Sequence, residues 1–178
     1  MREEKIKIMQ DLHKKQEDLD LHIKRSNNLM GRNLFGNTVI ACDVELAEFI
    51  NEEQSFKHWK KVKHKDVALF KRNLLEEASD VFHFLLSLAN MQNHTLQYVT
   101  NTTYDKQRWI TEQLVCRQYA KAKKFLWSYY VDKDAYLLNG VLRCLVIILN
   151  AYDYTFEDLI QEYYRKNEIN HKRQVEGY

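Results

Sequence analysis

The chain has 178 residues, no proline and only four glycines, which removes the punctuation that strands and tight hairpins need and predicts one all-α domain spanning 1–178. Lys and Arg number 27 against 25 Asp and Glu, a net charge of +2, and the two signs are interleaved, so neither nucleic acid nor a membrane surface is indicated as a partner. Three scattered cysteines, Cys42, Cys116 and Cys144, form no CxxC pair and suggest neither a disulfide framework nor a zinc knuckle.

The opening MREEKIKIMQDLHKK is too charged for a signal peptide, and the longest aliphatic run, VLRCLVIILNAY, is interrupted by Arg143 and too short to span a bilayer. A soluble, cytoplasmic protein is expected. Residues 3–25 place Ile8, Leu12, Leu19 and Ile23 among charges, the pattern of an amphipathic first helix, which should end in the Asn- and Gly-rich SNNLMGRNLFGNT. A second helix is predicted from Thr38 as N-cap through VIACDVELAEFINEE. The basic, aromatic connector SFKHWKKVKHKD leads into a long third helix from Val67 to Met91. After the polar NHTLQYVTNTTYD come a fourth helix through RWITEQLVCRQYAKAKKFLWSYY and a fifth through AYLLNGVLRCLVIILNAY. A sixth, TFEDLIQEYYRKN, opens with Thr155 and Asp158 in capping-box spacing, and the tail INHKRQVEGY shows no helical periodicity.

Two of these helices put acids where apolar residues belong. At roughly 100° per residue, Glu77 falls between Val81 and Phe84 in a stripe completed by Leu88, with Asp80 at its edge. Glu76 points instead to the sector of Arg72, Ser79 and His83, read as a solvated face. On the second helix, Glu45 and Glu48 flank the apolar arc of Cys42, Leu46, Phe49 and Ile50, with Glu52 beside them. Residues three apart share a helix face, so antiparallel packing would bring four carboxylates together. Ionised carboxylates at close range raise one another's pKa values and resist burial. A hard divalent cation relieves both, and an all-oxygen ligand set favours magnesium or manganese, with phosphate as the usual further ligand. ExxE on a charged helix is commonplace on a solvated face and by itself points weakly to metal; ExxD inside an apolar stripe is the stronger signal.

Lys166, Asn170 and Arg173 offer an ammonium, an amide and a guanidinium near the C-terminus, suited to phosphate oxygens but also to an ordinary solvated chain end. The connector can be a surface loop with Trp59 anchored in the core.

Together, ELAEFINEEQSFKHWK, LLEEASDVFHFLLSL and YYRKNEINHKRQVEGY resemble the signature regions of the dimeric all-α dUTP diphosphatases, of the type found in phages of Gram-positive hosts and related to the MazG-like all-α NTP pyrophosphatases. The resemblance covers most of the first half and the final thirty or so residues; about 95–150 match only in being helical and aromatic-rich. It implies a bundle of about six helices that hydrolyses dUTP, and also dUDP, with water activated by two or three Mg2+ ions, for which Mn2+ could substitute. Glu45, Glu48, Glu77 and Asp80 fall on the family's metal ligands, and Glu48 also on its general base. Lys166, Asn170, Arg173 and Tyr178 would bind phosphate and sugar. Gln16, Asp20, Trp59, His83 and Phe84 would surround the base, with Asp20 standing where some members have asparagine. A homodimer is implied, and a bacterial repressor protein as a further partner, for which Lys121, Lys123 and Lys124 of the middle segment are candidates. The rival reading is a related pyrophosphatase that prefers dCTP or several nucleotides.

Overall fold

The computed structural model describes residues 2–100 and 112–176, and in them the chain forms six α-helices and no strand: α1 (Arg2–Ser26), α2 (Phe35–Glu53), α3 (Val67–Met91), α4 (Glu112–Asp132), α5 (Ala135–Ala151) and α6 (Phe156–Glu176). The all-α expectation holds. The third helix has the predicted limits; Asp66 supplies its N-cap by accepting from the Leu69 amide. Residues 108–111, placed in the fourth helix by the sequence, lie outside the described residues, as does Tyr178.

α3 is the hub, packed against α1, α2, α5 and α6. Phe70, Leu74, Ala78, Val81, Phe82, Leu85, Leu86 and Leu88 are buried around its whole circumference, as a helix surrounded on all sides requires. The face assigned to Glu76 is solvated only at one end: Arg72 is exposed and Glu76 partly so, whereas Ser79 and His83 further along are buried. α1 and α6 cover that side and α2 the other. Early α2 residues meet later α3 residues, since Glu53 and Phe70 both touch Tyr152 while Glu45 and Glu48 reach Glu77. α2 and α3 are therefore antiparallel, the packing that the carboxylate pairs need. One apolar cluster runs through all six helices. α4 and α5 approach so closely that a Cβ on Gly140 would lie 2.7 Å from the Phe125 ring.

Two helix ends differ from the sequence reading. α2 begins at Phe35, and Thr38 is no cap: its hydroxyl donates back to the Leu34 carbonyl one turn earlier. α6 does not stop near Asn167 but continues to Glu176, because its stripe beyond Tyr163 is polar and meets polar partners, Glu76 and Asp80 on α3 and His22 on α1. Apolar periodicity could not detect such a stripe. The expected Thr155–Asp158 box does form: the Thr155 amide donates to the Asp158 carboxylate at 2.7 Å and the Asp158 amide to the Thr155 hydroxyl at 3.1 Å. Among the described residues no single helix is long and apolar enough to cross a membrane; α5 and α6 pass that test only as a pair bent by 106°.

Candidate functional site

The carboxylates come from the middle of the α2–α3 hairpin. Glu45, Glu48 and Glu77 each bring an oxygen within 4.8 Å of the others. Glu48 is exposed and Glu45 and Glu77 half-buried, so the group opens to solvent on one side. Burial, followed by the charges of Asp80, Glu48 and Glu77, pushes the Glu45 carboxyl up to about 7. Burial, Asp80 and Glu48 raise Glu77 as well. Three acids held this close repel one another, and the Lys166 charge opposes that rise only in part. Their all-oxygen donor set fits a hard divalent ion such as Mg2+ or Mn2+.

The fourth predicted ligand, Asp80, is next to this group but otherwise engaged. Its carboxylate accepts from the Lys166 ammonium of α6 at 2.5 Å, and the same ammonium reaches Glu76 at 3.3 Å. Burial raises Asp80, and the hydrogen bond and charge of Lys166 oppose that rise. Lys166 itself is only 6% exposed, so its charge is spent on these two acids. Arg165 adds a second, looser cation against Glu76 at 3.7 Å. Lys166, Asn170 and Arg173 follow one another at helical spacing, so the extended α6 makes of them a stripe; Asn170 accepts from Arg173, and the Arg173 charge lowers Asp80.

On the other flank of α3 lies a second polar cluster. Gln16 is 3% exposed, and its amide nitrogen donates to Asp20 at 2.8 Å and to Ser87 at 3.1 Å. Its amide oxygen pairs with His83 Nδ1 at 2.8 Å and accepts from the Tyr163 hydroxyl at 3.1 Å. All four hydrogen-bonding positions of the amide are thus filled by the protein. Because that oxygen can only accept, His83 Nδ1 carries the proton and Nε2 is left as an acceptor. Nε2 is buried with no protein donor, and burial, with the Lys166 charge, drives the imidazole down to about 3, so it is neutral. Ser87 also donates to Asp20 at 2.8 Å, and burial raises the Asp20 carboxyl.

The predicted base-side residues are thus only partly assembled. Gln16, Asp20 and His83 form one network; Phe84, half-buried, packs on the apolar core. Trp59 does not join them, and it is not anchored in the core either: it is 64% exposed on the connector, edge-on to Phe56 and His58. Buried Glu53 accepts from Tyr152 and from the Ser55 amide, tying the start of the connector to α5. Ser87, Tyr163, Asn167 and Glu76 were missed from the sequence. For Tyr163 and Asn167 the signal was their helical spacing with Lys166, Asn170 and Arg173, which shows only once the tail is read as helix. A separate open pocket of about 410 Å³, lined by His13, Lys14, Glu17, Asn90 and His94, contains none of the predicted site residues. Lys123, one of the candidate partner-binding lysines, is paired with Asp43.

Residues 8–178 match the family model described as dUTPase. No curated protein matches the chain.

Proposed function

We propose, from the premise that the chain belongs to the dUTPase family and is a dUTP diphosphatase, that hydrolysis takes place at the Glu45–Glu48–Glu77 group and uses magnesium. The observation that supports this is the convergence of those three carboxylates within 4.8 Å on antiparallel helices. Mg2+, as two or three ions and replaceable by Mn2+, would be held by Glu45, Glu48, Glu77 and Asp80. When bound it supplies neutralisation of the triphosphate and acidity to a water molecule. Glu48 would orient that water and take its proton, a role that its exposure in the group supports. The water oxygen bonds to the β-phosphorus, the α–β bridging P–O bond breaks, and dUMP and pyrophosphate leave; dUDP would be cleaved in the same way. Lys166, Asn170 and Arg173 on the α6 stripe, and Tyr178 beyond the described residues, would receive phosphate and sugar.

Uracil specificity belongs to the same proposal. A neutral His83 with an acceptor Nε2 suits the N3–H donor of a uracil ring, whereas N3 of cytosine is itself an acceptor and would leave both groups unpaired. Gln16, itself held by Asp20, then fixes the imidazole, and Phe84 supplies a ring contact; Trp59 would do so only if the connector that carries it closed over the base. We also propose a homodimer, because Ile40 and Val44 of α2 and Trp127 and Val131 of α4 leave apolar side chains exposed.

One assay tests the catalytic reading: pyrophosphate release from dUTP with and without Mg2+, beside dCTP and dTTP. Turnover of dUTP only with the metal is expected, and dCTP turnover equal to dUTP would overturn the uracil assignment. Light scattering after size exclusion tests the dimer.

A further inference from the structure

We propose that Lys166 and a divalent cation compete for the Asp80 carboxylate, so that filling the acid group with metal releases the Lys166 ammonium from Asp80 and turns it toward the phosphate tail. The inference rests on reading the carboxylates as a cation site, and it gives Lys166 a role before any nucleotide binds.

Three observations carry it. First, Lys166 is nearly buried and holds Asp80 Oδ2 at 2.5 Å, so the carboxylate already has a cation. Second, Asp80 follows Glu77 by three residues on α3, one turn along the same face, so it borders the three glutamates that converge within 4.8 Å. A dication among those glutamates would therefore share its surroundings with the ammonium, and two cations on one carboxylate repel at this range. Third, Lys166 has a second acceptor, Glu76, at 3.3 Å. Glu76 lies at the rim of α3, half-buried, where Arg165 also reaches it. The ammonium can leave Asp80 without losing every partner, which a buried charge with a single partner could not do. Asn170 and Arg173 continue the same α6 stripe, so an ammonium freed from Asp80 already belongs to the set of groups that would meet an anion.

The test measures metal alone, without nucleotide. Free Mn2+ is titrated by electron paramagnetic resonance against the full-length protein, Lys166→Met, Asp80→Asn and the double variant, with Arg165→Met as a control for general loss of positive charge. Lys166→Met should reach half-saturation at about tenfold lower Mn2+, the scale of one charge-assisted hydrogen bond, and Arg165→Met should change it little. In the Asp80→Asn background the gain should vanish. A Lys166→Met variant that binds Mn2+ as the parent does, or whose gain persists without Asp80, would overturn the proposal. If Lys166→Met does not fold, the parent protein decides: the Lys166 Cε–Hε resonances should shift and sharpen as Mg2+ saturates the site, and resonances that stay fixed would refute the exchange. A parent protein that binds no Mn2+ speaks against the carboxylate site itself, a different failure.

Discussion

α3 carries two polar clusters on opposite flanks, and they are built on opposite principles. Toward α2, Glu45, Glu48 and Glu77 converge within 4.8 Å, and burial with mutual repulsion raises Glu45 and Glu77. Toward α1 and α6, Gln16 closes a network with Asp20, Ser87, His83 and Tyr163 in which each of its donors and acceptors has a partner. The first cluster is complete only with something added from outside, whereas the second already stabilises the bundle by itself. Lys166, which holds Asp80, acts on both: its charge lowers His83 on one flank and opposes the rise of Glu45 on the other. Removing a side chain should therefore have opposite consequences on the two flanks.

The largest expected effect is on activity. Glu48→Gln keeps shape and removes charge, so dUTP hydrolysis should fall by about 10²- to 10⁴-fold, the range of a lost general base. The metal-free protein should melt at the same temperature or higher, because one of three repelling charges is gone. Steady-state pyrophosphate release and thermal melts in EDTA check both halves. A variant that loses stability together with activity would mean that the acid cluster is structural, and the contrast would collapse.

On the other flank, Gln16→Leu should act the other way round. It leaves His83 Nδ1 without its partner and takes one of the partners of Asp20, Ser87 and Tyr163, which should destabilise the protein by about 2–4 kcal/mol in urea unfolding. Mn2+ affinity should be unchanged, since Gln16 belongs to the closed network and not to the acid group. A change in metal binding of tenfold or more would show that the network also shapes the carboxylates.

The acid flank should also respond to pH. Glu45 titrates at about 7 in the fold against an ordinary 4.5, so the fold favours its protonated form. The stability it contributes is fully present below about 4.5 and is lost as pH rises through about 7; Glu77 is shifted in the same direction. A cation needs the ionised form, so the rise in melting temperature on adding Mg2+ should be small at pH 5.5 and grow toward pH 8. Glu45→Gln should flatten the metal-free profile. Equal Mg2+ shifts at both pH values would show that proton and metal do not share this carboxyl group.

How far each flank could be read from the sequence follows from the same contrast. The limits Val67 and Met91 were legible because an apolar stripe runs the length of α3 and Asp66 precedes it. Glu77 was legible as an acid interrupting that stripe, and the pairing with Glu45 and Glu48 followed from antiparallel packing. The Gln16 network was not legible as a network, because its members come from three helices and none of them breaks a pattern locally. Nor was the C-terminal half of α6: Lys166 and Asn167 are buried polar residues, and a polar buried stripe looks like a solvated face until its partners are known. Trp59 misled for the converse reason, since an aromatic residue in a basic loop suggests an anchor, yet here it is exposed.

The smallest expected effect tests whether the flanks are independent of the scaffold that holds them. Thr155 and Asp158 cap α6 at its N-terminus, three turns before Lys166. Thr155→Ala removes the hydroxyl that accepts from the Asp158 amide and should reduce stability by about 1 kcal/mol. The fraying should stay local, because Phe156, Leu159 and Tyr163 bury the first turns of α6 in the core and hold the helix in register. Half-saturation by Mn2+ and the KM for dUTP should therefore match the parent. If either moved severalfold, the position of Lys166 against Asp80 would depend on the cap eleven residues upstream, and α6 would have to be treated as one rigid lever and not as a helix pinned separately at its core and at its polar stripe.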